Sequence, residues 1–291
     1  MKKRRTKAQI AQLNSQIIEV LSEDHPQSVR HVYYRMTNPR LPEPVLKTEK
    51  GYQQIQNRTT ILRRQGLLPY GWITDATRRG YFVDTFRNAG DFIRQMAGLY
   101  RGDLWANADT YVEVWCESRS IAGVIEDTCR DLAVSLYPAG GFSSLTLAYE
   151  AAQYINIATR NGRKPAHVIY IGDYDPAGVL IDRSIDTELR KHLNSAVDMR
   201  FHRLAITEEQ IDLYDLPTKP RKETDRRALH INETVEAEAM PAGMLRAMLR
   251  NEIESFLPEG ALQAIKEAEL SERDGLISLG AAMGENWCRN D

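Results

Sequence analysis

Ile10, Leu13, Ile17, Ile18 and Leu21 recur at helical spacing and predict an amphipathic helix over residues 7–22. Pro26 ends that pattern, and Ser28 stands where an N-cap would open a short second helix over 29–36. After a proline-rich loop from Pro39 to Pro44, a third helix is expected over 51–65, with Ile55 and Leu62 among many polar positions. The run Gly66 to Ile73 reads as a strand, a tight turn and a second strand. Three helices followed by a hairpin is the order of a winged-helix module, whose third helix enters the major groove. Residues 81–108 read as a helical connector with loop character near Gly102 to Asn107.

From residue 111 the pattern changes. Short apolar runs at Tyr111–Cys116, Val134–Tyr137, His167–Ile171 and Met199–Leu204 predict strands. Helical stretches separate them at 119–132, 143–159 and 177–193. Strands alternating with helices imply a parallel sheet covered on both faces. The expected class is α/β: a mostly helical winged-helix domain over 1–105, then a sheet domain with a C-terminal helical extension over 106–291.

Charge sharpens that division. Residues 1–110 hold 18 Lys and Arg against 10 Asp and Glu, whereas 111–291 hold 20 against 30. A basic segment favours a polyanion through counterion release, and an acidic one favours divalent cations. In the third helix, Gln54, Asn57, Arg58, Arg63 and Arg64 are residue types that contact base edges and phosphates, and Arg78 and Arg79 extend the patch. The competing explanation is a solvated face on an ordinary helix. Double-stranded DNA is the expected partner. No run is apolar enough to span a bilayer, and the basic start Met1–Arg5 lacks an apolar signal core, so no membrane partner is expected. The three cysteines, Cys116, Cys129 and Cys288, lack metal-ligand spacing and suit a reduced, cytoplasmic setting. They also disfavour a zinc-dependent primase.

Two predicted strands end in acid. The first ends in Glu117, and the third runs into Gly172-Asp173-Tyr174-Asp175-Pro176-Ala177-Gly178. Parallel sheets bind ligands at the carboxyl ends of their strands. In extended backbone Asp173 and Asp175 share a side, and Pro176 can open the next helix. Glu117, Asp173 and Asp175 together would form a hard oxygen site for Mg2+, with Mn2+ as a substitute. Taken singly, each acid could be a helix cap. Taken together, three carboxylates would repel one another without a cation. Weaker candidates are Glu238, which could support a metal or simply flank a helix, and Arg119, which could meet a phosphate or pair with an acid. Gly140-Gly141 suits a turn.

A strand ending in Glu followed by a strand with Asp-x-Asp-Pro-x-Gly resembles the Toprim domain. The Asp-Pro-x-Gly form is most similar to the DNA-cleaving subunit of topoisomerase VI and its meiotic double-strand-break relatives. Leu216–Pro220, Thr224-Asp225 and Val235–Met240 are similar to the family's downstream blocks. The resemblance covers about residues 111–256, strongest at Asp173–Gly178, and residues 259–291 match nothing in it. The family also carries an Arg-x-x-Tyr-Tyr type motif in a winged-helix domain, and Arg30-His31-Val32-Tyr33-Tyr34 is similar to it.

On the predicted second helix, Val29, Val32, Tyr33 and Met36 share an apolar face, while Arg30 and Tyr34 share another. Tyr33 is therefore expected in the core and Tyr34 outside it, beside a guanidinium. Tyrosines also serve as plain phosphate contacts in DNA-binding helices. The resemblance implies that Tyr34 is a nucleophile joined to a 5′ DNA end and that Arg30 assists it. It implies Mg2+ at Glu117, Asp173 and Asp175, a homodimer acting in trans, and strand passage dependent on a separate ATPase subunit. The chain itself holds no phosphate-binding Gly-x-x-x-x-Gly-Lys-Ser/Thr loop. Compactness suggests a phage or mobile-element origin, and the expected location is cytoplasmic, with association to the nucleoid as the alternative to phage or mobile-element encoding. His31 could relay a proton, or be an ordinary surface histidine. Two further readings stay open: a metal-dependent nuclease that does not need Tyr34, and a non-catalytic DNA-binding and dimerisation platform.

Overall fold

In the computed structural model, the described residues are 5–74, 83–140, 145–221, 228 and 231–287, with backbone alone for 284–287. The N-terminal helices form as the periodicity predicts: α1 (Lys7–Glu23), α2 (Val29–Met36) and α3 (Glu49–Arg64). Thr6, Ser28 and Thr48 cap them, each side-chain oxygen accepting a backbone N–H of the first turn. Leu13, Ile17, Leu21, Val32, Met36, Ile55 and Leu62 are fully buried and make the core of this bundle.

The expected hairpin is absent. Gly66 turns with positive φ, and Tyr70–Trp72 form a 3-10 helix. Among the described residues, the N-terminal segment's β pairing is one parallel bridge, Gln27 to Ile73. Pro69 and Gly71 favour turning over extension here, and the cation of Arg63 lies 4.7 Å from the Tyr70 ring centroid. The α2–α3 connection also runs from Thr37 to Thr48, far longer than the 3–4-residue turn of a helix-turn-helix. Of the connector, α4 (Ala89–Ala97) is helical, and the stretch beyond it turns and loops.

Four strands, β1 (Tyr111–Cys116), β2 (Ser135–Pro138), β3 (Ala166–Ile171) and β4 (Met199–Ala205), form one all-parallel sheet in the order β2-β1-β3-β4. Three helices connect them: α5 (Arg119–Asp131), α6 (Leu145–Ala158) and α7 (Gly178–His192). Trp115, Val168 and Tyr170 on one sheet face pack with Ala148, Ala152 and Ile155 of α6 and Ile181, Ile185 and Leu189 of α7. On the other face, Val112, Val114 and Ile169 are buried, as are Ile121, Val124 and Ile125 of α5. Burial on both faces is why β1 and β3 read as near-continuous apolar runs. The exception is Glu113, buried in the middle of β1.

Beyond β4 follow α8 (Glu208–Leu213), the two-residue strands β5 (Lys219–Pro220) and β6 (Glu233–Thr234), a 3-10 turn at Ala237–Ala239, α9 (Ala242–Glu254) and α10 (Ala261–Trp287). The chain divides into two compact units. One comprises Met1–Arg78 with Thr110–Glu252, so the N-terminal helices and the sheet belong together. Asp24, just after α1, joins them: its carboxylate accepts the Gly243 N–H at 2.8 Å and pairs with Arg246. The other unit comprises Arg79–Asp109 with Ile253–Asp291. There α4 lies against α10 so closely that a Cβ on Gly280 would sit 2.7 Å from the Gly90 carbonyl oxygen. Arg273 and Glu269 of α10 bond Tyr100 O and Gly102 N. No helix of the described residues is long and apolar enough to cross a membrane.

Candidate functional site

The strand order sets the site. From β1 the chain moves outward to β2, then crosses back over β1 to β3. The crevice at the carboxyl ends of β1 and β3 is therefore the switch point, where such sheets bind ligands. Glu117 follows β1 and Asp173 follows β3. The ladder continues past both strands, with Glu117 N–H donating to Ile171 O at 2.9 Å and Gly172 N–H to Ala205 O at 2.8 Å.

Each acid spends one oxygen on the backbone. Glu117 Oε2 accepts the Asp173 N–H at 3.0 Å. Asp173 Oδ1 accepts the Ala237 N–H at 2.8 Å. Asp175 Oδ1 accepts two N–H groups, Ala177 at 2.8 Å and Gly178 at 2.6 Å, and so caps α7. The first helical position belongs to Gly178 and not to Pro176, because the chain must pass close beneath Asp173. A Cβ at Gly178 would lie 2.2 Å from the Asp173 carbonyl oxygen. Among the described residues, Glu117 Oε1, Asp173 Oδ2 and Asp175 Oδ2 accept no hydrogen bond.

Electrostatics agree with a site short of positive charge. Burial, then the charges of Glu117 and Glu238, push the Asp173 carboxyl well above the ordinary carboxylate range. Burial and Asp175 raise Glu117 against the opposing hydrogen bond from Asp173 N–H. Burial raises Glu238, which is 6% exposed, against the opposing influence of the nearby Ser120 hydroxyl. The donors are hard oxygens and each acid keeps one free, which fits Mg2+ in chemistry. The side chains are not arranged as a closed shell: no group of three or more His, Cys, Asp or Glu stands in metal-holding geometry among the described residues.

Arg203 of β4 underpins this loop. Its guanidinium donates to the carbonyls of Gly172 and Asp173 at 3.0 Å and of Gly178 at 2.9 Å, and pairs with Asp182 at 2.8 Å. It also lies 5.1 Å from the Tyr170 ring centroid. A lone arginine in a strand carries no sequence signal for this role.

Tyr34 departs from expectation. It is 5% exposed, as buried as Tyr33 at 4%. Its hydroxyl lies near the Glu236 carboxylate, and the ammonium groups of Lys47 and Lys219 lie 5.6 and 5.4 Å from its ring centroid. Burial and then the Glu236 charge raise the phenol well above its ordinary value, against the pull of Arg30. The outward face of α2 is thus covered by a segment some 200 residues later, which helical periodicity does not report. Arg30 does stand beside Tyr34, bonded to Glu236 Oε2 at 2.5 Å, while Lys219 holds Oε1 at 2.6 Å. His31 is buried, not at the surface: its ring pairs with Ser28 Oγ at 2.9 Å, and burial lowers it to about 3. Burial thus disfavours its charged form.

On α3, Asn57 and Arg64 are exposed. Gln54 instead accepts from Arg5 at 2.6 Å, Arg58 donates to Asn14 at 2.9 Å, and Arg63 stacks on Tyr70. Arg78 and Arg79 lie outside the described residues, as do Gly141, Thr224, Asp225 and Cys288. Arg119 is exposed at the start of α5, and Gly140 has the positive φ of a turn residue. Cys116 and Cys129 are free thiols in the core. Compared with family models, curated proteins and solved structures, the chain matches none of them.

Proposed function

We propose that the chain is a DNA strand transferase like the cleaving subunit of type IIB topoisomerases. One observation carries this reading: a single short segment touches both halves of the chemistry. Glu236 bonds Arg30 beside Tyr34, and one residue later the Ala237 N–H holds Asp173. One segment thus links the guanidinium beside the phenol to a strand-end acid.

The Tyr34 oxygen attacks a backbone phosphorus, the O–P bond forms, and the bond to the 3′ oxygen breaks. The phenol proton leaves, and the departing 3′ oxygen takes one up. Arg30 stabilises charge growing on the phosphate. Glu117, Asp173 and Asp175 would hold Mg2+, which when bound neutralises charge on the transferring phosphate. The exposed Asn57 and Arg64 of α3 meet duplex DNA. The sheet serves as a Toprim-type platform, and two chains supply two centres for a double-strand break. Strand passage draws on a separate ATPase subunit.

The test is cleavage of supercoiled plasmid with Mg2+ or Mn2+, stopped with detergent, with and without protease. Product that stays protein-linked until proteolysis, and vanishes in Tyr34→Phe, is expected. Free ends that survive Tyr34→Phe but not Asp173→Asn would replace this reading with a metal-dependent nuclease. The burial of Tyr34 is the observation favouring that second reading.

A further inference from the structure

Two cations hold one carboxylate between α2 and the β5–β6 region. Glu236 receives the Arg30 guanidinium on one oxygen and the Lys219 ammonium on the other, and the Tyr34 phenol lies beside it. A second ammonium stands beside them. Lys47 is tied to the Thr218 carbonyl at 2.5 Å, and it shares the Tyr34 ring with Lys219. Three cations thus gather about the Glu236 carboxylate, with Glu238 and Glu233 also close enough to act on them, and the crowding is felt: burial and Lys219 together lower Lys47 to about 8.

Guanidinium, ammonium and phenol are also the donors that recognise a phosphodiester. Such a group carries one negative charge over two free oxygens, the same charge and fork as a carboxylate. We infer that Glu236 is an internal stand-in for a DNA phosphodiester, occupying the anion site formed by Arg30, Lys219 and Tyr34 until DNA displaces it. This inference rests on the proposed DNA reaction and adds its regulation. With Glu236 in place, Tyr34 is sealed and protonated. Exchange of Glu236 for a backbone phosphate brings the phosphorus to the phenol and releases the carboxylate in the same step. A chain without bound DNA therefore keeps its nucleophile covered.

Glu236→Gln keeps the shape and removes the charge. In metal-free buffer at low salt, it is expected to bind a short duplex at least tenfold more tightly than the unsubstituted chain, and to compete better for inorganic phosphate. One more phosphate neutralised adds about one to the slope of log affinity against log salt. The gain should vanish when Lys219→Gln is added. Glu233→Gln, which removes an exposed charge three residues away, should show little of it. No gain, an equal gain in Glu233→Gln, or a gain that survives Lys219→Gln overturns the inference. If Glu236→Gln does not fold, Glu236→Asp, which draws the charge back by one methylene, should give a smaller gain. Failure of both to fold makes Glu236 part of the framework and overturns it too. The outcomes separate from those of the cleavage assay. A gain without any tyrosine-linked DNA leaves the anion site standing and removes the strand-transfer reading. Linked DNA without a gain removes the stand-in alone.

Discussion

Glu113→Gln should stabilise the protein, and only above a defined pH. Glu113 lies at the centre of the sheet with 0% exposure. Its Oε1 accepts the Trp115 indole N–H at 2.5 Å, and the Tyr111 hydroxyl stands 3.1 Å from Oε2. Burial, opposed by those two bonds, pushes the carboxyl up to about 7 from an ordinary 4.5. That difference corresponds to about 3 kcal/mol between the protonation states. Because the folded-state value is raised, the group's contribution is fully present below pH 4.5 and is lost as pH rises through about 7. Above that, the native state carries a buried carboxylate and the unfolded chain does not. Glutamine offers a carbonyl to Trp115 and an N–H to the Tyr111 oxygen, and it cannot ionise. Urea unfolding of both proteins from pH 4.5 to 8.5 should show a difference near zero at the acid end, growing to about 3 kcal/mol in favour of glutamine. Trp115, stacked on Tyr137 at 4.9 Å, gives a local fluorescence signal for the same transition. A difference that stays flat with pH, or a glutamine variant weaker at pH 8, would refute the reasoning.

Other perturbations test the site and its supports. Mg2+ should raise the melting temperature more as pH climbs above the ordinary carboxylate range, because protons must leave Asp173 and Glu117 first, and Asp173→Asn should abolish the shift. Arg203→Lys removes the fork that binds three loop carbonyls and Asp182. It should cost about 3 kcal/mol in chemical denaturation and erase the Mg2+ shift, whereas a metal response equal to that of the unsubstituted chain would deny Arg203 its positioning role. Gly178→Ala drives a Cβ into the Asp173 carbonyl, so plasmid cleavage should fall with the melting temperature, and an unperturbed variant would contradict the close approach. Gly280→Ala should cost about 1–3 kcal/mol by overpacking α4 against α10, read as faster proteolysis of residues 253–287.

The strands and their acid ends are legible because a parallel sheet buried on both faces writes unbroken apolar runs, and Glu117 and Asp173 interrupt them at the strand ends. The capping residues Ser28 and Thr48 mark helix starts through local backbone chemistry that sequence carries directly. Tyr34 escapes sequence reasoning for the opposite reason. An eight-residue helix has two faces that can be covered, and only the face toward α1 and α3 is set by neighbours in sequence. The other is covered by Glu236 and Lys219, whose approach depends on the whole sheet being in place. Glu113 escapes it because an acid inside a strand reads as a solvent-facing position. The signal is its setting between Tyr111 and Trp115, two residues on the same face whose polar ends can satisfy a carboxyl. The hairpin fails because Gly, Pro and Tyr in Gly66–Ile73 serve a turn and a 3-10 helix as readily as a strand pair.

The pairing of α4 with α10 has a consequence for the ribosome. Ala97 closes α4, and Ala261 opens its partner. At about 5–20 residues per second, a nascent chain waits on the order of ten seconds or more between the two. During that interval the face of α4 bearing Gly90 and Ala97, buried in the folded chain, has no α10 to cover it. The sheet can be assembled from residues 111–205 while this waits, so the two units mature in a fixed temporal order. The α4 face that α10 later covers is therefore the part of a stalled or truncated chain left without its packing partner.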